Sequence, residues 1–138
     1  MEIKDNNNKI LAIIVKKTER EKLENGMKIY SDPSDFIQVG YLKRGKNYKA
    51  KAHYHPRVFH GVGKTVGQEV MYVIKGRVLL KLYAVNGEKI SSITLEEGDL
   101  AIIYQGHSLE FLEESLILEI KQGPYPGSEK DKIFLEAV

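Results

Sequence analysis

Residues 68–95 read QEVMYVIKGRVLLKLYAVNGEKISSITL and contain three β-rich segments separated by two turn signals. The first two segments meet at Gly76, and Asn86-Gly87 separates the second segment from the third. An Asn-Gly pair between two such segments is the strongest short-range signal for a β-hairpin. The stretch therefore predicts consecutive strands over residues 68–75, 77–85 and 88–95.

The same organisation extends in both directions along the chain. Thr18 and Glu21 have capping-box spacing, which is compatible with one helical turn within residues 18–25. Residues 56–67 read as an irregular insertion, and the tail as a short helix or an edge strand. Many short strands separated by turn signals are typical of an all-β sandwich or barrel. Further strands are predicted over residues 9–17, 36–42, 48–55, 100–104, 107–112 and 116–122.

Length and composition narrow the class of protein. A chain of 138 residues predicts one domain over 1–138, with a core barrel at about 36–122, an N-terminal strand at 9–17 and a tail at 123–138. The net charge of +2 and the scattered lysines give no footprint for nucleic acid, so we expect no such partner. The longest apolar run covers only residues 10–15 and lacks a signal-peptide pattern, so we expect a cytoplasmic protein without a membrane partner.

Metal-ligand residues are concentrated in two parts of the sequence. The chain has no cysteine, so any metal site must use histidine, carboxylate, amide or water. His53 and His55 stand two residues apart in an extended segment, and residues two apart on a strand project from one face. Their imidazoles can therefore converge on one ion, although a lone His-x-His is more often a surface pair.

Glu69 and His107 are the further ligand candidates. Glu69 shares one strand face with Met71 and Val73, and a carboxylate on an apolar interior face needs a cation or hydrogen-bond donors. Both faces of this strand are largely apolar, so the alternation leaves open whether Glu69 points inward or into solvent. His107 follows Gly106 after an apolar strand. It becomes a ligand candidate because the chain already offers three other candidate ligands for one ion, His53, His55 and Glu69.

These residues together resemble the two motifs of the cupins. His53-Tyr54-His55, Glu69 and Gly76 resemble the first motif, and Gly98-Asp99 with Gly106-His107 resembles the second. The chain departs from the usual pattern in the long insertion before Glu69, in Tyr104 where proline is usual, and in the position of His107. The long insertion and the segment at residues 118–125 also resemble a group of single-domain cupins associated with surface-polysaccharide and nucleotide-sugar genes.

The resemblance implies a single-domain cupin, which is a double-stranded β-helix or jelly-roll barrel. It implies a divalent metal (Fe, Mn, Ni, Co or Zn) held by His53, His55, Glu69 and His107. It also implies a homodimer that uses the N-terminal strand. The expected function is to act on or bind a small polar molecule, a sugar or a carboxylate, at that metal. The alternatives are a ligand-binding or sensing cupin without turnover, and a structural domain.

Further residues enter as candidates around this site. His60, Tyr72 and Tyr104 are candidates for the substrate pocket, with a loop position for His60 and packing positions for the tyrosines as the plainer interpretations. Three glycines and the basic Arg57 and Lys64 suggest that the insertion at residues 56–67 is a lid over an anionic substrate. A passive surface loop is the alternative interpretation of the same segment.

Overall fold

The computed structural model describes residues 1–59 and 63–136, which form short strands and two helical turns. The helical turns are α1 (Lys17–Arg20) and α2 (Ser128–Asp131). The strands are β1 (Glu2–Lys4), β2 (Ile10–Ile13), β3 (Gly26–Ile29), β4 (Ile37–Arg44), β5 (His53–Tyr54), β6 (Pro56–Phe59), β7 (Gly63–Val66), β8 (Glu69–Lys75), β9 (Arg77–Tyr83), β10 (Lys89–Glu96), β11 (Leu100–Ile103), β12 (Gly106–Phe111), β13 (Ser115–Gln122) and β14 (Ile133–Phe134).

Two five-stranded antiparallel sheets form the body of the molecule. One sheet has the order β10-β9-β12-β5-β14 and the other has the order β11-β8-β13-β4-β3. Side chains from both sheets form a single apolar core, because alternate residues of each strand point between the sheets. The core includes Met71, Val73 and Ile117 from one sheet and Leu80 and Phe111 from the other. This architecture is the all-β jelly-roll barrel that the sequence predicts.

The segment at residues 68–95 folds as its turn signals predict. β9 and β10 pair as an antiparallel hairpin across Asn86-Gly87, and Gly87 has a positive φ of 88°. Gly76 lies between β8 and β9 with a φ of 94°, and a Cβ at this position would collide with the side chain of Ser115. Gly76 therefore allows β8 to pass directly into β9, which belongs to the other sheet.

The N-terminal region differs from the prediction of one strand over residues 9–17. β2 is shorter and pairs with β1, a strand that the sequence pattern does not indicate. The helical turn begins at Lys17 instead of Thr18, because the Glu19 carboxylate accepts a hydrogen bond of 3.0 Å from the Lys16 amide. β3 was also missed, and it pairs with β4 at the edge of its sheet. The second subunit expected against the N-terminal strand stays a prediction.

The segments around the first histidines also differ from the prediction. Only His53–Tyr54 is a regular strand within residues 48–55, with an isolated bridge from Lys49 to Glu110. In the described part of the insertion, β6 and β7 pair as an antiparallel hairpin, where the sequence predicted irregular chain. The tail forms both elements that the sequence suggested, a helical turn and a strand that pairs with β5. Within the described ranges, no helix is long and apolar enough to cross a membrane.

Candidate metal centre

Three buried histidines converge between the two sheets. His53 lies on β5, His55 directly follows β5, and His107 lies on β12. His53 and His107 are direct partners in the pairing of β5 with β12, which places both side chains on the same face. One nitrogen from each ring lies within 4.8 Å of the others, a separation that suits ligands of one metal ion.

Hydrogen bonds to the opposite nitrogen orient all three rings. His53 Nδ1 lies 2.6 Å from the Lys51 carbonyl oxygen, and His107 Nδ1 lies 3.4 Å from the Gln105 carbonyl oxygen. His55 Nδ1 lies 2.9 Å from the Asp131 carbonyl oxygen. A carbonyl can only accept, so Nδ1 carries the proton in each bond. Nε2 is then the atom left to donate a lone pair, which is the usual arrangement of a metal-binding histidine.

Glu69 occupies the interior face of β8. Glu69, Met71 and Val73 are all buried, while Tyr72 on the other face is exposed, so the structure resolves the alternative that the sequence left open. The Glu69 Oε2 atom lies 3.1 Å from His107 Nε2 and 3.6 Å from His55 Nε2. It is fully shielded from solvent, yet among the described residues it has no hydrogen-bond partner of good geometry. A buried carboxylate oxygen that faces two imidazole nitrogens needs a proton or a metal cation between them.

The charge state of these groups follows from their mutual contacts. Burial disfavours the charged form of Glu69, but contact with His107 and the charge of His55 more than offset it and lower its pKa to about 2. The pKa of His107 is raised although burial opposes it, because Glu69 stabilises its protonated form. Burial, followed by repulsion from His107, lowers the pKa of His53 to about 3. The group therefore presents an ionised carboxylate and a neutral His53 at neutral pH.

A cavity of about 120 Å³ opens onto the histidines and Glu69. Arg44, Lys121 and Lys132 also line it and place three cationic side chains around the centre. Glu119, on the interior face of β13, is its second carboxylate. Burial and the nearby charge of Glu69 raise the pKa of Glu119 to about 7. A larger and mostly apolar cavity of about 370 Å³ lies between the insertion hairpin and the tail, and no histidine lines it within the described part of the chain.

The structure separates the predicted site residues into two sets. His53, His55, Glu69 and His107 come together, whereas Tyr72 and Tyr104 do not line the cavity. Tyr72 is 38% exposed, because alternation along β8 turns it away from the buried Met71, and Tyr104, just after β11, is 56% exposed. The predicted pocket role of these tyrosines stays a prediction. The pocket role of His60 falls outside the described residues.

The sequence did not identify several residues that lie at the centre. Glu119 shares a strand face with Ser115 and Ile117, the same signal of a carboxylate on a buried face that identified Glu69. Lys121 lies opposite Glu69 in the pairing of β13 with β8 and also lines the cavity. No sequence pattern indicated Asp131, because it reaches the site from a tail far along the chain.

Comparison with known proteins supports the fold but not a specific relationship. No family model matches the chain, and no curated protein matches it. An uncharacterised conserved protein with a double-stranded β-helix domain from Klebsiella pneumoniae has a TM-score of 0.62 at 17% identity, over 91% of this chain and 98% of that one. A cupin-2 domain protein from Shewanella frigidimarina has a TM-score of 0.57 at 17% identity, over 80% and 95%.

A larger enzyme has the same fold in part of its chain. Oxalate decarboxylase from Bacillus subtilis has a TM-score of 0.57 at 18% identity, over 74% of this chain. The chain covers only 24% of that enzyme, so the likeness concerns one domain of it. The fold is that of the cupins, the double-stranded β-helix. The likeness concerns the fold, and the cluster of three histidines is a separate observation of side chains that could hold a metal ion.

Proposed function

We propose that the chain binds one divalent metal ion through His53, His55, Glu69 and His107 and uses it to bind or convert a small carboxylate. The observation that supports this most directly is the shielded Glu69 oxygen, which faces His55 and His107 without a hydrogen-bond partner of good geometry among the described residues. The residues fit a metal: three imidazoles with Nε2 directed inward and one ionised carboxylate form a mixed nitrogen and oxygen set. This set suits Fe(II), Mn(II), Ni(II), Co(II) or Zn(II).

The charges around the cavity favour an anionic ligand. A divalent ion with Arg44, Lys121 and Lys132 carries more positive charge than Glu69 and Glu119 neutralise, even when both carboxyls are ionised. The Arg44 Nε atom is shielded from solvent and lacks a hydrogen-bond partner among the described residues, which makes it available to a carboxylate. The Arg44 guanidinium lies 4.4 Å from the centroid of the Tyr48 ring, which holds it beside the cavity.

The chemistry that a bound divalent ion supplies is polarisation of a ligand oxygen as a Lewis acid. The protein residues would then orient the ligand, with Arg44 on its carboxylate. In the metal-free protein, burial raises the pKa of Glu119 to about 7, so this carboxyl can hold a proton beside the centre. The small volume of the cavity limits the ligand to a few heavy atoms unless side chains move.

Metal content tests the ligand set. The protein, purified without a histidine tag, should contain one equivalent of metal, and His53→Ala, His107→Ala and Glu69→Gln should each lose it. His60→Ala is the matched control, because it removes the remaining one of the four histidines. Wild-type protein without metal, or equal metal content in His53→Ala and His60→Ala, would contradict the proposal.

Ligand titration then tests the substrate class. Calorimetry of the metal-loaded protein should detect oxalate or glycolate, and Arg44→Lys should weaken that binding without loss of metal. Arg77→Lys is the control, because Arg77 is half exposed and pairs with Glu96 on the surface. Binding of glucose in place of the carboxylates would support the sugar class that the polysaccharide-associated cupins suggest. Consumption of the bound ligand separates an enzyme from a sensing or binding protein.

A further inference from the structure

Asp131 joins the C-terminal tail to the candidate metal centre. It is the last residue of α2 and only 5% exposed, although the three residues before it in this helical turn are exposed. Its main-chain oxygen lies 2.9 Å from His55 Nδ1, and its Oδ2 atom lies 3.3 Å from the same nitrogen. The Oδ1 atom accepts a hydrogen bond of 2.8 Å from Arg57 Nη2.

Arg57 holds Asp131 from the opposite side. Arg57 lies on β6 of the insertion hairpin and is 3% exposed. Its Nε donates to the Gln122 carbonyl over 2.7 Å and its Nη1 donates to the Pro56 carbonyl over 2.8 Å. Main-chain acceptors therefore fix the guanidinium. The lid hypothesis would require it to be free to cover an anionic substrate. Gly67 makes room for it, since a Cβ there would stand 2.7 Å from Arg57 Cγ.

His55 differs from the other two histidines in how it is oriented. His53 and His107 each bond a carbonyl two residues earlier in the chain, so their partners belong to their own local segments. The partner of His55 lies 76 residues away in another element. The orientation of His55 thus depends on Asp131, which the buried ion pair with Arg57 holds in place.

We infer that Asp131 is a positioning residue for His55, held in place by Arg57. The pair fixes the proton on His55 Nδ1, directs Nε2 into the cavity and strengthens that nitrogen as a metal ligand. The inference rests on the proposed metal site. A purely structural pair would instead fasten the tail to the hairpin without influence on the affinity or the electronic spectrum of a bound metal.

Cobalt titration distinguishes these roles. Metal-free protein is titrated with Co(II) against a chelator of known affinity, and the visible absorption of the bound ion is recorded. Asp131→Asn preserves the shape of the side chain and removes its charge. We expect it to weaken Co(II) binding by about 10- to 100-fold and to shift the absorption bands. Glu129→Gln is the matched control in the same helical turn, where Glu129 is exposed, and it should bind as the wild type does.

The outcomes separate this inference from the proposal on which it rests. Wild-type affinity and an unchanged spectrum in Asp131→Asn would overturn the positioning role. Absence of Co(II) binding by the wild type would overturn the metal site itself.

A second measurement needs no folded variant. In the Zn(II)-loaded wild type, ¹⁵N NMR of the imidazole rings should show His55 protonated at Nδ1. Protonation at Nε2 instead would also refute the positioning role.

Discussion

Glu119→Gln provides a direct test of the electrostatics of the cavity. Glu119 is 6% exposed and lies on the interior face of β13, where the negative charge of Glu69 repels its ionised form. Burial is the larger cause of its raised pKa, and repulsion from Glu69 is the second. Glutamine keeps nearly the same shape but stays neutral at every pH, so the substitution removes only the ionisation.

The size of the effect follows from the shift of the pKa. The folded protein holds the pKa of Glu119 at about 7, against an ordinary value of 4.5. Each unit corresponds to about 1.36 kcal/mol, so full ionisation costs the folded state roughly 3 kcal/mol. Because the pKa of Glu119 is higher in the folded than in the unfolded protein, neutral Glu119 costs no stability below pH 4.5. The folded state then loses stability as the pH rises, and the loss is complete once the pH has passed 7. Between pH 5 and pH 8 the wild type should lose about 2–3 kcal/mol relative to Glu119→Gln.

Urea unfolding of the metal-free protein measures this loss. Free energies of unfolding are determined for both proteins at pH 5, 6, 7 and 8, and their difference cancels the titration of the groups that the two proteins share. Glu110→Gln is the control, because contact with Lys81 lowers the pKa of this surface carboxylate. Glu110 is thus ionised throughout the range and should give a constant difference. A constant difference for Glu119→Gln would refute the reasoning about its pKa.

Three further outcomes are expected. Gly98→Ala should cost about 1–2 kcal/mol of folding free energy for its positive φ alone, and Gly76→Ala about 1–3 kcal/mol more, because its Cβ also meets Ser115; equal losses in thermal unfolding would contradict the close packing at Gly76. Phe111→Ala should cost about 3–5 kcal/mol in urea unfolding, since the ring is fully buried, and a loss below about 1 kcal/mol would mean that the core is packed differently. A free metal concentration of about 100 times the dissociation constant should raise the unfolding free energy by about 2.7 kcal/mol. An equal rise in His53→Ala would show that the metal binds elsewhere.

The fold could be predicted where local sequence determines local structure. The turn at Asn86-Gly87 fixes the pairing of β9 with β10 by itself, and Gly76 marks where the chain changes sheet. β1 and β3 were missed because they are only three and four residues long. Segments of this length carry too few side chains to show a period of two, and pairing with a neighbouring strand decides their conformation.

The site could be predicted where ligand spacing matches strand geometry. His53 and His55 follow from a spacing of two, and the spatial convergence of Glu69 and His107 agrees with the cupin resemblance. The inward orientation of Glu69 depends on how β8 sits against the other sheet, which periodicity does not reveal when both faces are apolar. Arg57 was placed in a lid or a passive surface loop, and its buried pairing was not predicted, because Asp131 is distant in sequence and lies in a segment without a motif.

The bond between His55 and Asp131 sets the order in which the site is completed during synthesis. The chain emerges from the ribosome with its N-terminus first, so 76 residues must follow His55 before its Nδ1 partner exists. A nascent barrel has His53, His55 and His107 once residue 107 has emerged. The His55 ring, however, gains the hydrogen bond that orients it only when Asp131 reaches it. For the proposed metal site, full affinity therefore requires the segment that carries Asp131, and we expect a premature stop codon after β13 to weaken metal binding.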